Sequence, residues 1–184
     1  MNHHDMTRNM VLAALFAALT AIGAFLQIPT GTVPITLQFL FTALAGLLLG
    51  WKWGAISQLL YVGIGLLGLP VFTQGGGIGD VLQPSFGFLL GLIPAAAVIG
   101  ALTARRTGYL TVLAAVLVGD LILYAVGVPY MYLILHVYMQ SAKTFPALLA
   151  AMLVYVPGDT LKIVVVTALA PVLRRTLAKA VPNL

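Results

Sequence analysis

Asp159 and Lys162 stand three residues apart inside an apolar stretch. Ala-Leu-Leu-Ala-Ala-Met-Leu-Val-Tyr-Val precedes them and Ile-Val-Val-Val-Thr-Ala-Leu-Ala follows. On a helix, that spacing puts both side chains on one face. A carboxylate only accepts hydrogen bonds, whereas an ammonium donates up to three. Ionisable groups at membrane depth cost several kcal/mol each unless they pair or face a wet cavity, so such a pair points to a functional site. The bland alternative is a local ion pair that only lowers the cost of burying each partner.

Two features favour a site. Pro157 suits the first turn of a helix, where its missing N–H is no loss. The free N–H groups and positive dipole end of that helix attract a carboxylate. Neutral hydrogen-bonding side chains also fall at the same depth in the chain: Thr36 and Gln38, Gln74 and Gln83 in a Gly-rich loop, and Tyr155. With Phe72, Phe86 and Phe88 they would line a pocket of one cation, one carboxylate, amides and aromatics. Such a pocket suits a small, partly apolar organic anion. Asp120 is a second acid in an apolar run, either a protonated structural donor or a ligand.

Other chemistries lack their parts. A P-loop needs Gly-Lys-Ser/Thr, but the four lysines follow Trp51, Ala142, Leu161 and Ala178. Gly75-Gly76-Gly77-Ile78-Gly79 lacks the strand-loop-helix context of a phosphate cradle and reads as a flexible loop. No cysteine is present, which removes thiol nucleophiles, disulfides and Cys-based metal sites. His136 has no acidic or Cys companion at ligand spacing, and His3 and His4 lie in a polar head expected to fray. No catalytic residue, metal or cofactor is therefore expected. An intramembrane enzyme would have to rest on Asp120 with Asp159 as its dyad.

The elements that hold these residues follow from composition. The 184 residues are 61% hydrophobic and 7% charged, against roughly 25% charged in soluble domains. The apolar runs are continuous, not alternating as in a membrane barrel, and about 17–20 residues long, as a spanning helix requires. The expectation is an all-α, multi-pass membrane protein, with 1–184 forming one domain of six transmembrane helices. The helices run from about Met10 to Ile28, Ile35 to Gly50, after Trp53 to Leu69, Ser85 to Leu102, Tyr109 to Val128, and Pro157 to Arg174-Arg175. The first run reads as the first mature helix, not a cleaved signal. Trp51-Lys52-Trp53 reads as an interfacial turn, 130–145 as a surface helix or loop, and 146–156 as a partly inserted helix. Helix 1 carries Ala13, Ala17 and Ala21, and also Ala14 and Ala18, at spacing four. Small residues at that period let another helix approach closely.

The net charge of +5 reflects basic residues at helix ends, which points to topology, not to nucleic acid. With the N-terminus inside, Arg8, Lys52, Arg105, Arg106, Arg174, Arg175 and Lys179 are cytoplasmic and only Lys143 lies outside. Both termini are then cytoplasmic, and the Asp159–Lys162 site opens outward from the cell membrane.

Four stretches now carry a resemblance. They are Val33-Pro34-Ile35-Thr36-Leu37-Gln38, Gly68-Leu69-Pro70-Val71-Phe72, Pro84-Ser85-Phe86-Gly87-Phe88-Leu89-Leu90-Gly91, and Pro157-Gly158-Asp159 with Lys162. In this order over six helices, the chain resembles the biotin-specific S components of energy-coupling-factor vitamin transporters, the BioY family. The resemblance implies a six-helix S-component bundle that captures biotin. It also implies docking on a transmembrane coupling subunit that sits on two cytoplasmic ATPases. Asp159 would meet the ureido ring and Lys162 the valerate carboxylate. Ala14 and Ala18 would face the coupling subunit. Gln83-Pro84-Ser85-Phe86-Gly87-Phe88 stands where many members read Gly-Pro-Thr-Gly-Gly-Tyr, and Gln74 or Gln83 would supply a further polar contact. An S component for a different vitamin or small organic anion is the alternative.

Overall fold

The computed structural model describes residues 3–30, 33–106 and 108–180. Gly31 and Thr32 of the expected helix breaker, and the side chains of His3, His4 and Lys179, lie outside the described residues. The continuous apolar runs form helices, which satisfy their backbone groups internally as a bilayer demands. They are α1 (His3–Phe25), α2 (Gln38–Leu66), α3 (Phe86–Leu102), α4 (Tyr109–Leu133), α5 (Phe145–Ala151) and α6 (Val156–Ala180). Consecutive helices α1 to α4 pack on one another, and α6 closes the bundle against α4 and α2.

α2 is a hairpin. Gly50 takes φ 77° and ψ 179°, a region open to glycine and strained for side-chain-bearing residues. The arms 38–49 and 51–66 then run back along each other. Gln38 Nε2 donates to Tyr61 Oη at 2.8 Å and Thr42 Oγ1 lies 2.9 Å from Gln58 Oε1. The turn expected at Trp51-Lys52-Trp53 falls at Gly50 instead, and the aromatic pair opens the second arm. With the two arms, α1, α3, α4 and α6 make the six-helix bundle. Asp5–Phe25, Tyr109–Tyr138 and Val156–Thr176 are each long and apolar enough to cross a bilayer, and Gln38–Leu66 reaches that length only as its two arms together.

Other helix boundaries move for physical reasons. α1 begins at His3, within the head expected to fray, and an Asp5–Arg8 ion pair at 3.2 Å spans its first turns. It stops at Phe25, because Gln27–Ile28 (β1) pairs antiparallel with Ile35–Thr36 (β2). α4 runs through Pro129, the expected stop, and continues in a π-turn over Ile134–Tyr138. Val128 and Met131, on either side of that proline, are fully packed, which offsets the lost backbone hydrogen bond. The surface segment expected from Tyr130 is therefore mostly an extension of α4. α6 likewise continues past Arg174-Arg175 to Ala180.

A polar clamp crosses the apolar core. The hydroxyls of Thr20 on α1 and Thr42 on α2 converge on the Gln58 side-chain amide at 3.3 and 2.9 Å, and all three residues are fully buried. At the end of the bundle away from β1 and β2, Arg174 Nη2 donates to the carbonyls of Leu47 at 2.8 Å and Thr103 at 3.4 Å. Leu47 is in the last turn before the Gly50 break, and Thr103 caps α3. One guanidinium thus serves carbonyls at two helix ends, where backbone acceptors run short of helical partners.

Candidate binding site

Asp159 sits in the first turn of α6, where its N–H donates to the Tyr155 carbonyl at 2.9 Å. Oδ1 pairs with Lys162 Nζ at 2.6 Å, and Oδ2 accepts from the Tyr124 hydroxyl of α4. Asp159 and Lys162 are only 6% and 7% exposed. Each charge is therefore compensated at close range, which the cost of desolvating ions requires.

The pair lines a cavity of about 790 Å³, counting its open mouth. One wall is an aromatic ladder. Tyr61 meets Phe72 edge-on at 5.5 Å between centroids, Phe72 meets Phe86 at 6.2 Å, and Phe88 meets Tyr124 at 5.9 Å. The Phe72 ring seats on Gly65, where a Cβ would come within 2.0 Å of it.

A second wall is a hydrogen-bonded relay. Thr36 Oγ1 donates to Gln38 Oε1 at 2.8 Å, Gln38 Nε2 donates to Tyr61 Oη, and Tyr61 donates to the Val71 carbonyl at 3.1 Å. The Gln38 amide is thereby fixed in orientation. The β1–β2 hairpin borders the cavity through Val33, Pro34, Ile35 and Thr36 and is tied down at three points. Tyr155 Oη donates to the Val33 carbonyl at 2.5 Å and lies 2.9 Å from the Thr30 hydroxyl, and Gln27 Nε2 donates to the Thr73 carbonyl at 3.3 Å.

The side chains assigned to the pocket from the sequence line this one cavity: Asp159, Lys162, Gln38, Thr36, Phe72, Gln74, Gln83, Phe86, Phe88 and Tyr155. Four polar lining residues were not named as site residues from the sequence: Thr73, Asp80, Ser85 and Tyr124. Tyr124 stands four residues after Asp120, a spacing that marks a polar face on an otherwise apolar helix. Asp80 lies in a 3-10 turn (Ile78–Leu82) inside the Gly-rich loop, and its Oδ2 is buried without a partner among the described residues. Asp120 is outside the cavity lining. Ala14 and Ala18 are on the exposed face of α1, while Ala13 and Ala17 face the core.

Among the described residues, no three His, Cys, Asp or Glu side chains are grouped so as to hold a metal ion. The arrangement suits binding: it offers a charge pair, an oriented amide and flat apolar walls to a small molecule.

A membrane-embedded helical bundle with such a pocket at one end is a multi-pass membrane protein built to hold a small molecule. The chain belongs to the BioY family, whose model matches residues 1–179. A probable biotin transporter BioY of Lysinibacillus sphaericus is 53% identical over 76% of this chain and 72% of its own length. The biotin transporters BioY of Thermotoga maritima and Rhodobacter capsulatus are 35% and 39% identical. They cover 89% and 97% of this chain, and 94% and 97% of their own. The fold also matches the crystal structure of the S-component for biotin from an ECF-type ABC transporter. The TM-score is 0.83 and the identity 29%, over 95% of both chains. These relatives are transporters, not enzymes, which removes the dyad reading of Asp120 with Asp159.

Proposed function

We propose that this chain is the biotin-capturing S component of an energy-coupling-factor transporter, a single unit over 1–184 in the cell membrane. Its termini are cytoplasmic and its pocket opens outward. The observation that carries the reading is the buried Asp159–Lys162 pair at 2.6 Å on the wall of an aromatic cavity.

That distance also bears on the pose. Biotin carries N–H and C=O side by side in its ureido ring, while its carboxylate is at the far end of an aliphatic chain. Two groups 2.6 Å apart match the ureido end better than opposite ends of one ligand. Asp159 accepts from a ureido N–H and Lys162 donates to the ureido oxygen. This differs from the pairing of Lys162 with the valerate carboxylate that the family resemblance implies. The rings pack on Phe72, Phe86 and Phe88, and Gln74 and Gln83 are the donors available to the carboxylate.

The test is calorimetric binding of biotin and of biotin amide to the detergent-solubilised protein, wild type against Asp159→Asn and Lys162→Met. Tight wild-type binding is expected, with roughly tenfold or greater loss in each variant. Lys162→Met should weaken both ligands equally. A loss confined to biotin would return Lys162 to the carboxylate. No biotin binding by folded wild type would sink the reading.

We further propose that the exposed Ala14 and Ala18 seat a transmembrane coupling subunit carrying two cytoplasmic ATPases, since small side chains let a partner helix approach closely. Ala14→Trp with Ala18→Trp should abolish co-purification with that subunit and spare biotin binding. Retained co-purification would rule this face out.

A further inference from the structure

Lys162 has three N–H donors, and Asp159 Oδ1 takes one of them. No other hydrogen bond joins its ammonium to a described residue. Asp120 on α4 has the complementary deficit: Oδ1 is buried and has no partner among the described residues. Asp120 lies within electrostatic reach of both Asp159 and Lys162. It precedes Tyr124 by one helical turn, and Tyr124 donates to Asp159, so Asp120 shares the α4 face that is turned to the pair. The described cluster therefore holds two acids and one base, with an acceptor and donors left over within it.

We infer that Asp120 is the second counterion of Lys162 and holds its ammonium when a ligand occupies Asp159. The inference rests on the reading of Asp159 and Lys162 as the ligand's polar anchor. A ligand N–H that takes Asp159 Oδ1 competes directly with the ammonium bonded to that same oxygen. A buried ammonium left without a carboxylate is strongly unfavourable. Lys162 has a flexible four-carbon stem and a compact charge, so a modest swing relocates its spare donors to Asp120. Asp120 is then a positioning residue. It never touches the ligand, but keeps Lys162 charged and aimed at it.

A double-mutant cycle tests this on the full-length, detergent-solubilised protein, with biotin as probe. Asp120→Asn should weaken binding roughly tenfold. Lys162→Met and the double variant should be equally weak, because removing Lys162 removes what Asp120 acts on. Wild-type affinity in Asp120→Asn, or losses that add in the double variant, would overturn the inference alone. Failure of wild type to bind biotin would overturn the site reading and this inference with it.

A second readout avoids variants. The chain has four aspartates and no glutamate, so labelled aspartate gives four side-chain carboxyl signals in carbon NMR of the wild type. Biotin should shift the Asp159 and Asp120 signals together and leave Asp5 in place. A shift of Asp159 without Asp120 would overturn the inference.

Discussion

Replacing Arg174 by Met should destabilise the bundle without touching ligand affinity. The guanidinium donates to the Leu47 carbonyl at 2.8 Å and, more weakly, to the Thr103 carbonyl at 3.4 Å. A hydrogen bond to a charged group contributes about 1.5–3 kcal/mol, and a cation at a helix C-terminus about 0.3–1 kcal/mol. The 3.4 Å contact is too long to count in full, and the half-buried site lets water replace part of what is lost. The balance is about 2–3 kcal/mol for Arg174→Met. Arg174→Lys keeps the charge but loses the fork that spans two carbonyls, so about 1 kcal/mol is expected. Met keeps the apolar stem, so the loss reads the head group and not packing. The assay is reversible unfolding in mixed micelles at increasing denaturing detergent. Arg174 lies about 18 Å further along α6 than Lys162, at 1.5 Å per residue, so biotin affinity should stay within about twofold. Unchanged unfolding in Arg174→Met would refute the capping argument. A large affinity loss would refute the separation of the two ends.

Gly46→Ala should cost about 1–3 kcal/mol in the same assay, since a Cβ there would come 2.4 Å from the Ala96 carbonyl oxygen of α3. Gly63→Ala, with nothing within 4 Å of its Cβ, should gain about 0.5–1 kcal/mol, and a loss there would contradict the packing described. Tyr155→Phe removes the hydroxyl that ties Val33, in the β1–β2 hairpin, to the segment entering α6. Radiolabelled biotin should then dissociate roughly two- to tenfold faster, the worth of one neutral hydrogen bond. An unchanged dissociation rate would mean that the hairpin does not gate the pocket.

The helical bundle could be read from the chain because each apolar run declares itself by length and continuity. The lining residues could be read because polar side chains are scarce enough to count. Gln38, Gln74, Gln83 and Tyr155 were conspicuous against their surroundings, and the cavity collects all four. Tyr124 was not conspicuous, since one tyrosine in an apolar helix with several aromatics carries no local mark. Only its spacing from Asp120 distinguished it. The β1–β2 hairpin escaped because its pairing is two residues long, below any periodic signal. The passage of α4 through Pro129 was equally hidden, for it depends on how Val128 and Met131 pack and not on local preference.

The reversal at Gly50 also bears on how the chain enters a bilayer during synthesis. Each arm of α2 is shorter than the roughly 20 residues that span a hydrocarbon core. Each also carries buried polar side chains, Gln38 and Thr42 in the first half of one and Ser57 and Gln58 in the middle of the other. Alone in lipid, either arm would expose amides and hydroxyls at several kcal/mol apiece. Folded together, the arms answer each other's donors and acceptors, so the insertion machinery must admit them as one unit. The polar contacts that orient the pocket wall thus also decide which piece of nascent chain can leave water.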